Sequence, residues 1–245
     1  MKNEFQVIAH RGASSLCPEN TKSAFLKALE IGVDWIETDL RLTRDGVWVI
    51  IHDRDISRHC GQKTKVEHLT LGELRRYEYG SWFSEEFRGE PLLTLDEACD
   101  LILPRARLIL DIKTEGAAGN LARSLGGVVA SRPLDKIVLS SFSLTLLDAL
   151  QKANPGFKLG YLFDQKAGSR TRWAGQRRFY SVHPHKDVFS NEMAAEAGSH
   201  HMKTLVWTVN HPVEMRELME NGADGIFTDF PQRAQRLRTP STIQV

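Results

Sequence analysis

Two short patterns in this chain are suited to acid and metal chemistry. Glu37 and Asp39 in "WIETDL", and Asp111 and Lys113 in "LILDIK", stand two apart inside apolar runs, and residues two apart on an extended strand project from one face. Carboxylates gathered on one rim repel each other unless a cation neutralises them. Oxygen ligands of this kind suit a hard divalent ion, Mg²⁺ or Ca²⁺, better than zinc. His10 closes the run "VIAH" and His52 closes "VWVIIH". Two imidazoles beside an acid cluster can divide a proton transfer between a base and an acid. Arg11 and Lys113 add fixed positive charge, for which an oxygen-rich anion such as phosphate is the natural occupant. A Schiff-base role for Lys113 would require a neutral amine, whereas Asp111 and a phosphate would keep it protonated. Taken singly, each acid reads more readily as a salt-bridged surface residue, and each histidine as a structural one. Their shared parity and strand-end placement single them out.

For these side chains to meet, the intervening chain must form a particular scaffold. Apolar, β-branched runs recur along the sequence: "QVIAH", "WIETDL", "LILDIK", "IVLSS", "KLGYLF", "YSVHP", "TLVWTV" and "DGIFTD". Amphipathic stretches separate them. "TKSAFLKALEIG" has Asn20 or Thr21 placed as N-cap and Gly32 after its end, and "HPVEMRELMENG" has Pro212 near its start and Gly222 beyond it, the usual residues at helix boundaries. Alternating strands and helices predict parallel pairing, and eight such strands predict closure into a TIM-type (β/α)8 barrel. Active sites of these barrels lie at the C-terminal ends of the strands, where His10, Arg11, Glu37, Asp39, Asp111, Lys113, His183, Trp207, Asn210 and Asp229 fall.

Two departures from strict alternation are expected. Asp45-Gly46 marks a tight turn that folds "VWVII" back antiparallel on the second strand. With those two residues as the loop, Asp39 lies opposite His52, and a bulge would shift this pairing by one. Residues from about 55 to 92 are polar, turn-rich and too long for a simple connection, so they read as an inserted lid or small subdomain within one domain spanning 1–245.

Composition limits the partners. Lys plus Arg number 32 against 31 for Asp plus Glu, so no global field recruits nucleic acid or an anionic membrane surface. Cys17, Cys60 and Cys99 are odd in number and widely spaced, which fits reduced thiols better than disulfides or zinc. There is no apolar run of about 18 residues, and "MKNEFQ" lacks the apolar core of a signal peptide. The expectation is a cytoplasmic protein without nucleic-acid partner or stable membrane insertion; homo-oligomerisation stays open.

Six segments then fall in a telling order: "HRG" at 10–12, "PENT" at 18–21, "IETDLRLTRDGVWVIIHD" at 36–53, "SSF" at 140–142, "VWTVN" at 206–210 and "GADGIFTD" at 222–229. "GSWFSEEFRGEPLLTL" at 80–95 adds an insertion segment. Over nearly the whole chain this series resembles the glycerophosphodiester phosphodiesterases, in particular the bacterial cytoplasmic type. The resemblance implies that His10 and His52 are the acid and base and that Glu37, Asp39 and Asp111 hold a divalent ion, Mg²⁺ or Ca²⁺ with Mn²⁺ also admitted. Asp111 stands where the family usually has glutamate, one methylene longer, which leaves metal preference open. Arg11 and Lys113 would hold the phosphate, and Glu19 would orient the site or simply cap a helix. Trp207 would wall the glycerol or else fill core, and His183 would sit beside the site or contact product. "RHC" at 58–60 replaces a threonine-rich stretch of the family.

The implied activity is hydrolysis of small-molecule glycerophosphodiesters, such as glycerophosphocholine and glycerophosphoethanolamine, to glycerol 3-phosphate and an alcohol, within lipid and glycerol metabolism. Two alternatives stand beside it. A related lysophospholipase D or phosphoinositide-type phosphodiesterase would need an apolar, membrane-facing rim, and a catalytically weakened phosphodiester-binding protein draws on the substituted Asp111.

Overall fold

The computed structural model describes residues 5–114, 116–165 and 170–238. Its strands, in chain order, are β1 (Gln6–His10), β2 (Trp35–Leu42), β3 (Trp48–Ile50), β4 (Asp55–Ile56), β5 (Gln62–Lys65), β6 (Arg107–Ile112), β7 (Ile137–Ser141), β8 (Lys158–Phe163), β9 (Ser181–Pro184), β10 (Lys203–Val206) and β11 (Gly225–Thr228). β1, β2 and β6 to β11 pair in parallel in that order, and β11 returns to β1, so eight strands close into a barrel. A helix follows each barrel strand, in β2's case only after the hairpin and insertion. This is the (β/α)8 barrel that the alternation predicts.

Local chemistry sets the helix ends. Thr21 caps the helix Lys22–Ile31 by accepting from the Ala24 N–H, and Gly32 ends it in a left-handed conformation at φ 80°. After the insertion, Thr94 and Glu97 form a reciprocal capping box that restarts the helical layer at Leu95–Ile102.

Strand parity sorts the barrel side chains. Ile8, Trp35, Ile109, Val138, Leu205 and Phe227 form a buried cluster in the interior. Alternate residues, among them Val7, Ala9, Ile36, Leu108 and Leu110, join the larger core beneath the helices. Two residues beyond Ile8, Trp35 and Ile109, the same parity delivers His10, Glu37 and Asp111 to one end. Gly160 on β8 makes room within the barrel, since a Cβ there would lie 2.5 Å from His183 Cε1. A glycine inside an apolar strand is the sequence signal for such a close approach.

The hairpin takes the register one residue away from the two-residue-loop reading, the shift a bulge gives. Observed partners are Leu40 with Ile50, Arg41 with Val49 and Leu42 with Trp48. Thr43 N–H donates to Val47 C=O and Gly46 N–H to Thr43 C=O, so the loop holds three residues, with Gly46 at φ 81° in the left-handed position. Asp39 therefore faces Ile51, whose N–H donates to the Asp39 carbonyl at 3.1 Å. His52 lies one step past this pairing.

Between β3 and the restarted helical layer, residues 55–92 contain the β4–β5 pair and helical turns at Ser57–Cys60 and Leu71–Leu74. Ile56, Val66, Leu74, Tyr79 and Leu92 bury a small cluster against Val49 and Ile51. The basic stretch "RTRWAGQRR" at 170–178 contains the helix Arg170–Gln176; Arg172 pairs with Glu196, and Arg177, just past the helix, with Asp148. Among the described residues no helix is long and apolar enough to cross a membrane.

Candidate active site

At the C-terminal end of the barrel, a cavity of about 260 Å³ is lined by His10, Arg11, Glu37, His52, Asp111, Lys113, Ser140, Phe142, Leu162, Trp207, Thr208 and Phe227. Glu37, Asp39 and Asp111 are all buried, and one carboxylate oxygen from each lies within 4.8 Å of the others. Asp39 and Asp111 are direct neighbours in the β2–β6 ladder.

The chain's own cations hold this cluster in part. Arg11 Nε lies 3.2 Å from Asp39 Oδ2, and Lys113 Nζ lies 2.6 Å from Asp111 Oδ2 and 3.5 Å from Asp39 Oδ1. The Arg11 backbone N–H donates to Glu37 Oε2 at 3.0 Å. Asn20 Nδ2 donates to Asp39 Oδ2 at 2.9 Å and is fixed in turn by the Thr38 hydroxyl. Burial pushes the Glu37 carboxyl well above the usual range, helped by the charge of Asp39. For Asp39 burial acts in the same direction but is outweighed by Arg11 and Lys113, which hold it below that range. Burial also raises Asp111 against the pull of Lys113. The buried Asp111 Oδ1 accepts no hydrogen bond. Three carboxyl groups this close, one of them with an oxygen that accepts no hydrogen bond, repel one another unless a cation lies between them, and an all-oxygen set of this kind fits a hard divalent ion.

Each candidate proton carrier leans on a carboxylate. His10 Nδ1 is 2.7 Å from Asp229 Oδ1, and His52 Nδ1 is 2.8 Å from Asp53 Oδ1. Such a partner places the hydrogen on Nδ1 and leaves Nε2 as the working atom. Burial alone would lower the His10 pKa, but the hydrogen bond to Asp229 holds it above the ordinary histidine value. Asp229 is itself well braced. Asn210 Nδ2 donates to its Oδ2 at 2.6 Å, and the Ser14 hydroxyl lies 3.1 Å from its Oδ1. Although burial would raise it, the bonded His10 and these donors hold Asp229 down at about 2.

Asp229→Asn keeps the shape and replaces an acceptor-only carboxylate with an amide that can also donate, so the charge and the constraint that fix the His10 tautomer are lost. The expected result is a loss of kcat of about 10²–10⁴ with little change in KM. A kcat within about threefold of the parent would show that the pair has no part in turnover.

The remaining candidates are placed as follows. Glu19 stands behind the cavity wall, where its Oε1 accepts from Arg11 Nη1 at 2.9 Å; the helix cap is Thr21 instead. Trp207 is on the wall, its indole N–H donating to the His183 carbonyl at 2.7 Å. His183 is fully buried outside the cavity lining, with its ring against Phe227. Burial pulls its pKa down to about 3, so it stays neutral. Gly12, at φ 84°, lets the loop pass the helix, since a Cβ would lie 2.7 Å from the Ala24 carbonyl carbon. Sequence reasoning missed Phe142, which stands edge-on to Trp207 with ring centroids 5.7 Å apart and lies under the Lys113 ammonium at 5.6 Å. It also missed Asp53 as partner to the adjacent His52, for which "HD" was the available signal.

Residues 10–233 match the family model described as the glycerophosphoryl diester phosphodiesterase family. A glycerophosphodiester phosphodiesterase from Caldanaerobacter subterraneus subsp. tengcongensis is 33% identical over 229 residues, covering 92% of this chain and 94% of its own. A phosphodiesterase from Oleispira antarctica, solved in complex with the product sn-glycerol-3-phosphate, superposes with a TM-score of 0.88 at 29% identity, covering 94% of this chain and 95% of its own. A glycerophosphodiester phosphodiesterase from Thermotoga maritima gives 0.81 at 27% identity over 97% of this chain and 100% of its own.

Proposed function

The chain belongs to the glycerophosphoryl diester phosphodiesterase family, and on that footing we propose that it hydrolyses soluble glycerophosphodiesters to glycerol 3-phosphate and an alcohol in the cytoplasm. The observation that carries the reading is the convergence on one cavity of a buried three-acid cluster, two imidazoles each bonded to a carboxylate, and two cationic side chains. A divalent ion held by Glu37, Asp39 and Asp111, Mg²⁺ or Ca²⁺ by the hardness of the ligands, would polarise the phosphoryl group as a Lewis acid. Arg11 and Lys113 neutralise and orient the phosphate. One histidine takes the proton of the nucleophile through Nε2, and the other returns a proton to the departing alkoxide; the nucleophile is water, or the glycerol 2-hydroxyl, whose attack gives a cyclic phosphate that water then opens to glycerol 3-phosphate. Trp207 and Phe142 give the glycerol an apolar wall. Residues 55–92 act as a lid beside His52.

An activity panel tests this reading. Glycerophosphocholine and glycerophosphoethanolamine, each with Mg²⁺, Mn²⁺ or Ca²⁺, should release glycerol 3-phosphate, while lysophosphatidylcholine should be a poor substrate. Cleavage of the lysolipid alone, or binding of the soluble diesters without turnover at any of these ions, would overturn it.

A further inference from the structure

The two imidazoles are braced in different ways. Asp229, the partner of His10, is fixed by Asn210 and Ser14 near the barrel mouth. Asp53, the partner of His52, has a different support. Its other oxygen, Oδ2, accepts from Arg58 Nε at 2.6 Å, and Arg58 belongs to the inserted segment. The described partners of the Asp53 carboxylate are His52 and Arg58. His52 itself stands beyond the β2–β3 pairing, so the backbone ladder does not fix its ring.

Arg58 has a second arm. Its Nη2 donates to Glu19 Oε1 at 2.6 Å, the oxygen that also accepts from Arg11 Nη1 at 2.9 Å. The guanidinium plane lies over the Trp82 ring, 4.7 Å from its centroid. One planar fork thus joins the carboxylate that orients His52 to the carboxylate that restrains Arg11. A lysine could supply the charge but not two fixed donors in one plane.

We propose that Arg58 is a positioning residue for the hydrolytic reaction: from the inserted segment it holds the His52 ring through Asp53, and secondarily the Arg11 guanidinium through Glu19. The proposal rests on the roles given to His52 and Arg11 above. It places part of the competence of the site in the insertion, since the barrel alone leaves Asp53 without its brace. Partly exposed ion pairs contribute little to folding, so the fold should outlast the loss of this one while the ring orientation does not.

The test is a mutant cycle on the full chain with glycerophosphocholine and Mg²⁺. Arg58→Ala should lower kcat by about 10–100-fold, the usual cost of losing an outer orienting contact, with KM changed by less than about threefold. Added ethylguanidinium should restore part of the loss. In a His52→Ala background the same substitution should cost less than about threefold, because the ring it orients is gone and only the secondary Glu19–Arg11 arm is left to lose. Arg58→Lys, read through the same cycle, serves if the alanine variant does not fold. A kcat within twofold of the parent overturns the proposal, as does an equal loss in both backgrounds. A fully active His52→Ala enzyme would instead refute the role of His52, so the two failures are distinguishable.

Discussion

Alanine at His10 or at His52 is expected to lower kcat by about 10²–10⁴ on glycerophosphocholine while the protein stays folded. Each ring sits at the cavity, where its main described contact is one carboxylate, so truncation removes a proton carrier without opening the interior cluster around Trp35. The two variants should part company when the leaving group changes. With a p-nitrophenyl phosphodiester, whose p-nitrophenolate leaving group needs no proton, the variant lacking the general acid should recover most of its loss and the other should recover none. Equal recovery in both would contradict the division of labour.

Removal of the divalent ion is expected to have an effect of similar size. Chelation by EDTA should abolish turnover, and Mg²⁺, Mn²⁺ or Ca²⁺ should restore it. Proton linkage sharpens the expectation. Burial holds the Glu37 carboxyl above its ordinary range, and a bound cation requires it deprotonated, so apparent metal affinity should climb with pH up to the raised Glu37 value. The sign for the metal-free fold is opposite. The native state keeps a proton that the unfolded chain releases near pH 4.3, so this group costs stability as pH rises above that value toward its raised one. Thermal melting with and without Mg²⁺ across this range checks both: the difference in Tm should widen as pH rises. A gap that stays constant would remove Glu37 from the ligand set. Asp111→Glu, which restores the longer side chain usual in the family, should change the order of preference among the three ions while leaving the fold intact.

The barrel was readable because its signals are local. Alternation of β-branched runs with amphipathic stretches predicts the eight barrel strands and the helical layer between them, and strand parity predicts that Glu37, Asp39 and Asp111 share a face. The hairpin register was not readable, because two- and three-residue loops both accommodate Asp45-Gly46, and the choice shifts Asp39 from His52 to Ile51. The supports of the imidazoles were hidden for a different reason. Asp229 is 219 residues from His10 in sequence, and only closure of the barrel brings them together. Arg58 lies in an irregular segment whose path no periodicity predicts. The neutral, buried His183 looked like any strand-end histidine, although the glycine in "KLGYLF" hinted that something large had to fit beside it.

The account stands on the claim that Glu37, Asp39 and Asp111 share one divalent cation at the wall that carries both imidazoles. Crystals grown with Mn²⁺ and measured at the manganese absorption edge test this directly. The account predicts a single anomalous peak at the barrel mouth within coordination distance of all three carboxylates. A fully active, Mn²⁺-loaded enzyme whose anomalous peak lies elsewhere, or touches none of the three, would contradict it.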